Sequence, residues 1–199
     1  MPTGEVSRLI NHFSRFPGMG SRSAVRIVVH LLKRKHSIME YFLKSLTSVY
    51  EDSKVCSICG NIDVRETCQI CADHKRDNSI LCVVADISDL WSIERAEFFH
   101  GKYHVLGGKL SSINGVMPED LSVDRLCSRI KASNGEIQEI IIAMSADLDG
   151  QTTTFFVNDK IKELGVKTTT LAHGIPVSSD LEYLDDGTII TAFDQRKDI

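Results

Sequence analysis

The sequence predicts an α/β chain in four parts: a helical hairpin over residues 1–54, a small four-cysteine module over 55–78, an α/β domain with a mostly parallel sheet over 79–172, and a short C-terminal segment over 173–199. Three observations carry that prediction. Helical apolar periodicity opens the chain. Two Cys-x-x-Cys pairs lie in a polar stretch too short to own a core. Beyond them, strand-sized apolar runs alternate with amphipathic segments, the pattern of a parallel sheet with helices on both faces.

The elements follow in order. Val6, Leu9, Ile10 and Phe13 fall at i, i+3, i+4 and i+7, and so do Ala24, Ile27, Val28 and Leu31, giving two amphipathic helices. Between them Pro17 ends the first helix, Gly18 and Gly20 permit a tight turn, and Ser21 is placed to cap the second. A third helix is expected over Ile38–Val49, packed on this pair. In the α/β part, Ile80–Ala85 reads as a strand, Ser88–Phe99 as a helix and Tyr103–Leu106 as a strand ending at Gly107-Gly108. Pro118 suits the first turn of a helix that carries Val123, Leu126, Cys127 and Ile130 on one face. Glu139–Met144 reads as a central strand, 151–164 as a helix and Val166–Ala172 as a last strand. The segment from His173 is loop-rich, with a short helix near Thr188–Phe193.

Composition narrows the function classes. The longest apolar runs, Ile140–Met144 and Leu81–Ala85, are strand-sized and far below a membrane span. Met1–Arg8 lacks the apolar core of a signal peptide, so a cytoplasmic, nucleoid-associated protein without membrane contact is expected, and among its six cysteines metal binding is favoured over a disulfide framework. Charge is uneven. Arg8, Arg15, Arg22, Arg26, Lys33, Arg34 and Lys35 against Glu5 leave the first 35 residues at +6, so with −4 overall the remainder carries −10. A basic end on an acidic body can grip phosphate at one place and repel it at another. A solvated helix surface is the bland alternative.

The strongest motif is Cys56-x-x-Cys59-Gly60 with Cys68-x-x-Cys71. Four thiolates at this spacing can surround one tetrahedral Zn²⁺, and because they fill every position the role is structural. Binding free energy of about 10 kcal/mol or more replaces the missing core. A redox dithiol is the competing reading. His74 is surplus to the set, while Cys82, Cys127 and Trp91 read as packing residues, His104 as part of a strand end, and His12, His30, His36, His100 and His173 show no useful spacing. The second motif is the turn at Gly18 and Gly20. Its backbone amides, with Arg22 and Arg26 one helical turn apart on the same face, make a sequence-independent phosphate clamp. The third is Asp147 and Asp149 after the strand Glu139–Met144, where α/β sheets present ligands. The pair could hold Mg²⁺, but phosphoryl chemistry wants a further acid on a neighbouring strand. That strand ends in Ala85, and Asp86 is offset by one residue. An acidic rim without chemistry is the favoured reading.

In this order the residues resemble the RecR family of recombination mediators along nearly the whole chain. Pro17 to Ala24 resembles its helix-hairpin-helix; Cys56–Cys71 with Asp73, Arg76 and Asp77 its zinc finger. Leu81–Val84, Tyr103–Gly108 and Pro118–Leu121 resemble its Toprim domain, and His173–Val177 with Leu181–Asp185 its C-terminal motif. The resemblance implies a non-enzymatic protein that binds single- and double-stranded DNA, works with RecO and RecF to load RecA, and forms a homo-oligomeric dimer or tetramer ring. It puts Arg22 and Arg26 on the family's DNA-contacting positions. The departures are Ala85, where the family carries a glutamate tied to partner contact; Asp147, which restores an Asp-x-Asp pair; and Ser178-Ser179-Asp180 in place of Gly-Gly-Glu. The restored pair keeps alive the alternative of a Toprim-type metal-dependent DNA enzyme using Asp147 and Asp149.

Overall fold

Residues 3–172, 174–176 and 179–194 are described by the computed structural model. His173, Val177, Ser178 and the stretch beyond Asp194, on which part of the expected C-terminal motif falls, lie outside them. The chain divides into two units, Met1–Ser53 and Lys54–Ile199.

In the first unit, α1 (Glu5–Ser14) and α2 (Ser21–Lys33) pack as a hairpin, and a π-type turn at Lys35–Met39 leads into α3 (Glu40–Asp52). The predicted stripes explain the packing. Ala24, Val28 and Leu31 are its buried residues among those described, and Val6, Leu9, Ile10, Phe13 and Ile27 are half-buried around them. α1 stops before Pro17, because a residue preceding proline is driven out of the helical region. Gly18 then turns the chain at φ +73°, which glycine adopts without strain. One expectation is corrected. Ser21 does not cap α2 but is its first residue; Gly20, extended, holds the cap position, and its carbonyl accepts the Ala24 amide at 3.0 Å.

The second unit opens with a two-stranded antiparallel ribbon, β1 (Lys54–Val55) and β2 (Ile62–Asp63), followed by the short helix α4 (Gln69–Ala72). Then come β3 (Ile80–Val84), α5 (Ile87–Arg95), β4 (Lys102–Val105), α6 (Val123–Ala132), β5 (Glu139–Ala143), α7 (Leu148–Ile161), β6 (Lys167–Thr170) and α8 (Asp186–Asp194). β4, β3, β5 and β6 form, in that order, a four-stranded parallel sheet, with Val83 level with His104 on one side and Ile142 on the other. Side chains alternate across it as the strand period requires. Leu81, Val83, Ile140 and Ile142 meet Leu126 and Ile130 of α6 and Val157 and Ile161 of α7. Cys82, Val84, Tyr103 and Val105 meet Leu90 of α5 on the opposite face. The α/β class with helices on both faces is therefore present.

The element edges differ from the sequence reading, each for a local reason. Pro118–Asp120 is a separate 3₁₀ turn, and α6 starts only at Val123, after Leu121 turns inward. α7 starts at Leu148 rather than 151, because the Asp147 side chain caps it. The helix expected to reach Phe99 stops at Arg95, and the last strand is four residues long. Trp91 is 55% exposed rather than packed in the core, and Cys127 is only half-buried.

Candidate functional site

The hairpin turn of the first unit is the basic candidate. Gly20, lacking a side chain, offers the opening amides of α2 no oxygen, and the first turn of α2 carries no acidic residue. The first amides of any helix lack partners within it and carry partial positive charge, so this end is open to an external anion. Arg22 and Arg26 are both exposed, and Arg26 lines a groove of about 360 Å³ with Ser23, Ile27 and His30. Arg34, one turn further, lies against the ring of His30.

The cysteine module is the second candidate. The sulfurs of Cys56, Cys59, Cys68 and Cys71 all lie within 4.8 Å of one another, and the first three residues are wholly buried. Gly60 shapes the first knuckle. At φ +84° its amide closes on the Cys56 carbonyl at 3.0 Å, and a Cβ there would stand 2.7 Å from Arg125 Nη2. The Asn61 amide donates to Cys59 Sγ and the Cys68 amide to Cys56 Sγ, each at 3.4 Å, which favours sulfur as thiolate. His74 is not in the cluster.

The module is built onto the sheet rather than hung from it. The Val105 amide of β4 donates to the Cys59 carbonyl at 2.7 Å, and Trp91 Nε1 of α5 donates to Asn61 Oδ1 at 3.1 Å. Arg76 makes two hydrogen bonds to the Glu94 carboxylate, at 2.9 and 2.5 Å, and Tyr103 Oη adds a third at 2.7 Å. Lys102, only 6% exposed, donates to the carbonyls of Ile70, Cys71 and Asp73 at 2.9, 3.1 and 2.7 Å. The sequence reading missed this cationic surround. For Arg125 and Arg129 of α6 the signal was legible: they are four apart on one helix, the spacing that drew attention to Arg22 and Arg26. Lys102, inside an otherwise apolar strand, gave no such signal.

The third candidate lies at the carboxyl ends of the strands, where a cavity of about 560 Å³ is lined by Ala85, Asp86, Asp89, Lys109, Ser145 and Leu171 among others. The carboxylates of Asp147, Asp86 and Asp89 are engaged. Asp147 Oδ1 accepts the Gly150 amide at 2.7 Å, while Oδ2 takes Lys109 Nζ at 2.6 Å, and Lys109 also reaches Ser145 Oγ at 2.9 Å. The Lys109 hydrogen bond, then the Gly150 amide, hold the Asp147 carboxyl below its ordinary range. Asp149 is half-buried in the first turn of α7, where its carbonyl accepts Thr153 Oγ1 at 2.6 Å. Asp86 caps α5, accepting the Ser88 amide, and Asp89 in turn accepts the Asp86 amide, each at 3.1 Å. Ala85 is buried against the α6 and α7 face. Among the described residues, four cysteines are brought together in a group that could hold a metal ion, and no third acid joins Asp147 and Asp149.

Known family models match four segments of the chain. Residues 6–49 match a model described as RecR, helix-hairpin-helix; 54–73 match the RecR zinc finger domain with four cysteine ligands; 79–172 match the Toprim domain; and 174–197 match RecR, C-terminal. Among similar proteins, Recombination protein RecR of Rhodospirillum rubrum is 46% identical over 199 residues, all of both chains. That of Parvibaculum lavamentivorans is 45% identical over 97% of this chain and 96% of its own, and that of Sphingopyxis alaskensis is 45% identical over all of both. No helix among the described residues is long and apolar enough to cross a membrane.

Proposed function

Since the chain belongs to the RecR family of recombination proteins, we propose that it is a non-catalytic mediator that grips DNA through its helical hairpin and helps RecO and RecF load RecA onto single-stranded or gapped DNA. The observation that carries this reading is the hairpin turn: unpaired helix-opening amides beside two exposed arginines, with no acid in the turn. Gly18 and Gly20 let the backbone approach a phosphate, and Arg22 and Arg26 flank it. Contacts of this kind fix a protein on DNA without reading sequence, so single and double strands both bind.

Absence of chemistry belongs to the same proposal. A Toprim-type reaction would need its acids free to hold Mg²⁺, whereas alanine stands at the end of β3 and Lys109 already pairs with Asp147. The cysteine site fits Zn²⁺ as a structural ion: four sulfurs converge, two accept backbone amides, and no position is left for substrate. Assembly into a dimer or tetramer ring, in the cytoplasm at the nucleoid, completes the reading. It is supported by an apolar surface on α3, where Tyr41, Leu43, Leu46, Val49 and Tyr50 are all exposed.

The test is a salt titration of DNA binding. Converting Arg22 and Arg26 together to alanine should weaken single- and double-strand binding alike and lower the salt slope by about one unit per lost phosphate contact. An unchanged slope and affinity would remove the hairpin from the DNA interface. Mg²⁺-dependent strand cleavage that disappears in Asp147→Ala would instead make the protein an enzyme.

A further inference from the structure

Four thiolates around a divalent ion leave two negative charges uncompensated, and burying such a charge costs free energy unless cations lie close. Three basic side chains of the second unit surround the cysteine module, and among the described residues none pairs with a carboxylate. Lys102 Nζ sits on the carbonyls that close the second knuckle, including that of Cys71 at 3.1 Å. Arg129 Nη1 donates to the Tyr103 carbonyl at 2.6 Å, and its guanidinium borders one cavity with Cys71, Lys102 and Ile58. Arg125 Nη2 lies against Gly60, next in sequence to Cys59, and Arg125 Nε is buried with no protein partner. Burial lowers the basicity of Arg129, while the sulfurs of Cys71, Cys59 and Cys56 act in the opposite sense. An unpaired, half-buried cation is costly by itself. Its placement becomes intelligible when the charge it faces is the sulfur cluster.

We propose that Lys102, Arg125 and Arg129 form a cationic collar around the cysteine site, offsetting the charge of the loaded tetrathiolate and setting how tightly it holds Zn²⁺. The collar rests on the structural-zinc reading above and adds to it that the sheet and α6 complete the site electrostatically. Gly60 belongs to the same device. Without a Cβ it lets the guanidinium of Arg125 approach the knuckle. The three are positioning residues, acting on the metal through the sulfurs.

The full-length chain tests this. Zinc content of the wild type is measured first, then zinc transfer to the chromophoric chelator 4-(2-pyridylazo)resorcinol is compared for wild type, Arg129→Met, Arg125→Met and Arg129→Lys. The methionine variants should give up zinc roughly 10- to 100-fold more readily, and the lysine variant should recover most of the difference. Loading with Co²⁺ adds a readout of charge itself. Removing a cation near sulfur should move the sulfur-to-cobalt absorption to longer wavelength in the methionine variants and leave it in place in Arg129→Lys. Arg125→Met breaks no side-chain hydrogen bond among the described residues, so it decides the matter even if Arg129→Met fails to fold. Zinc retention and cobalt bands matching wild type in a folded Arg125→Met would overturn the collar while leaving structural zinc intact. A folded wild type purified without zinc, and unable to take up zinc or cobalt, would overturn both.

Discussion

His104 shows how one buried side chain makes stability depend on pH. It is fully buried on β4, and its Nε2 lies 3.1 Å from the Ser122 carbonyl, an atom that can only accept, so the ring carries its proton there. Nδ1 is buried without a partner. A second proton would have nothing to bond, and burial pushes the imidazole down to about 4, with Arg129 and Arg125 adding to the fall. In the unfolded chain the same ring titrates near 6.5. Between those values the unfolded state holds more protons, so this contribution is complete above about pH 6.5 and is lost as pH falls toward 4. Denaturant titrations should show that wild type loses about 2 kcal/mol more than His104→Gln between pH 7 and pH 5. Equal losses would mean that His104 is not neutral by constraint. The ring was legible only as part of the strand Tyr103–Leu106, because the Ser122 carbonyl that it faces comes from a distant part of the chain. Asp147 illustrates the converse. Its place at the end of a strand was legible, but Lys109 is 38 residues away, and nothing in local pattern reveals so distant a partner.

At the scale of elements, periodicity located the helices and the sheet strands outside the cysteine module, while side-chain caps decided where α5 and α7 begin. α5 is fixed by Asp86 and Asp89, each accepting a backbone amide of the other's turn. Asp86, one residue out of step for catalysis, is a helix cap instead. Asp86→Ala should cost about 1 kcal/mol by urea denaturation, and a change below a few tenths would show that the cap is idle. Asp147 does the same for α7, which is why that helix starts earlier than its apolar pattern. The cysteine module was the most legible element, since two Cys-x-x-Cys pairs admit few geometries. Cys68→Ser should abolish stoichiometric zinc and lower the melting temperature of the full chain, measured by calorimetry with elemental analysis. An unaltered transition in the metal-free variant would contradict a structural ion.

Across the whole molecule, the architecture was legible because alternating strands and helices have few ways to bury their apolar faces. The parallel sheet, the helices on its two faces and the helical hairpin were all readable from runs such as Ile140–Met144 and Ala24–Leu31. The apolar surface of α3 was not, since helical periodicity does not reveal which face stays uncovered. No residue of that helix is buried, and an exposed apolar row of this kind marks a contact surface. Leu46→Glu should shift the protein toward smaller species in light scattering while leaving its circular dichroism intact. If the wild type is itself a monomer at micromolar concentration, α3 is not an assembly surface.

The bond from the Val105 amide to the Cys59 carbonyl has a consequence for life in a crowded cell. β4 is an outermost strand of the sheet, and a bare outermost strand invites pairing with a neighbouring molecule. The knuckle sheathes that border by occupying one of its outward-facing groups. Stripping the ion would thus do more than loosen a small module: it would unmask a template for intermolecular ladders, and the demetallated protein should precipitate rather than linger as a dissolved, partly folded chain.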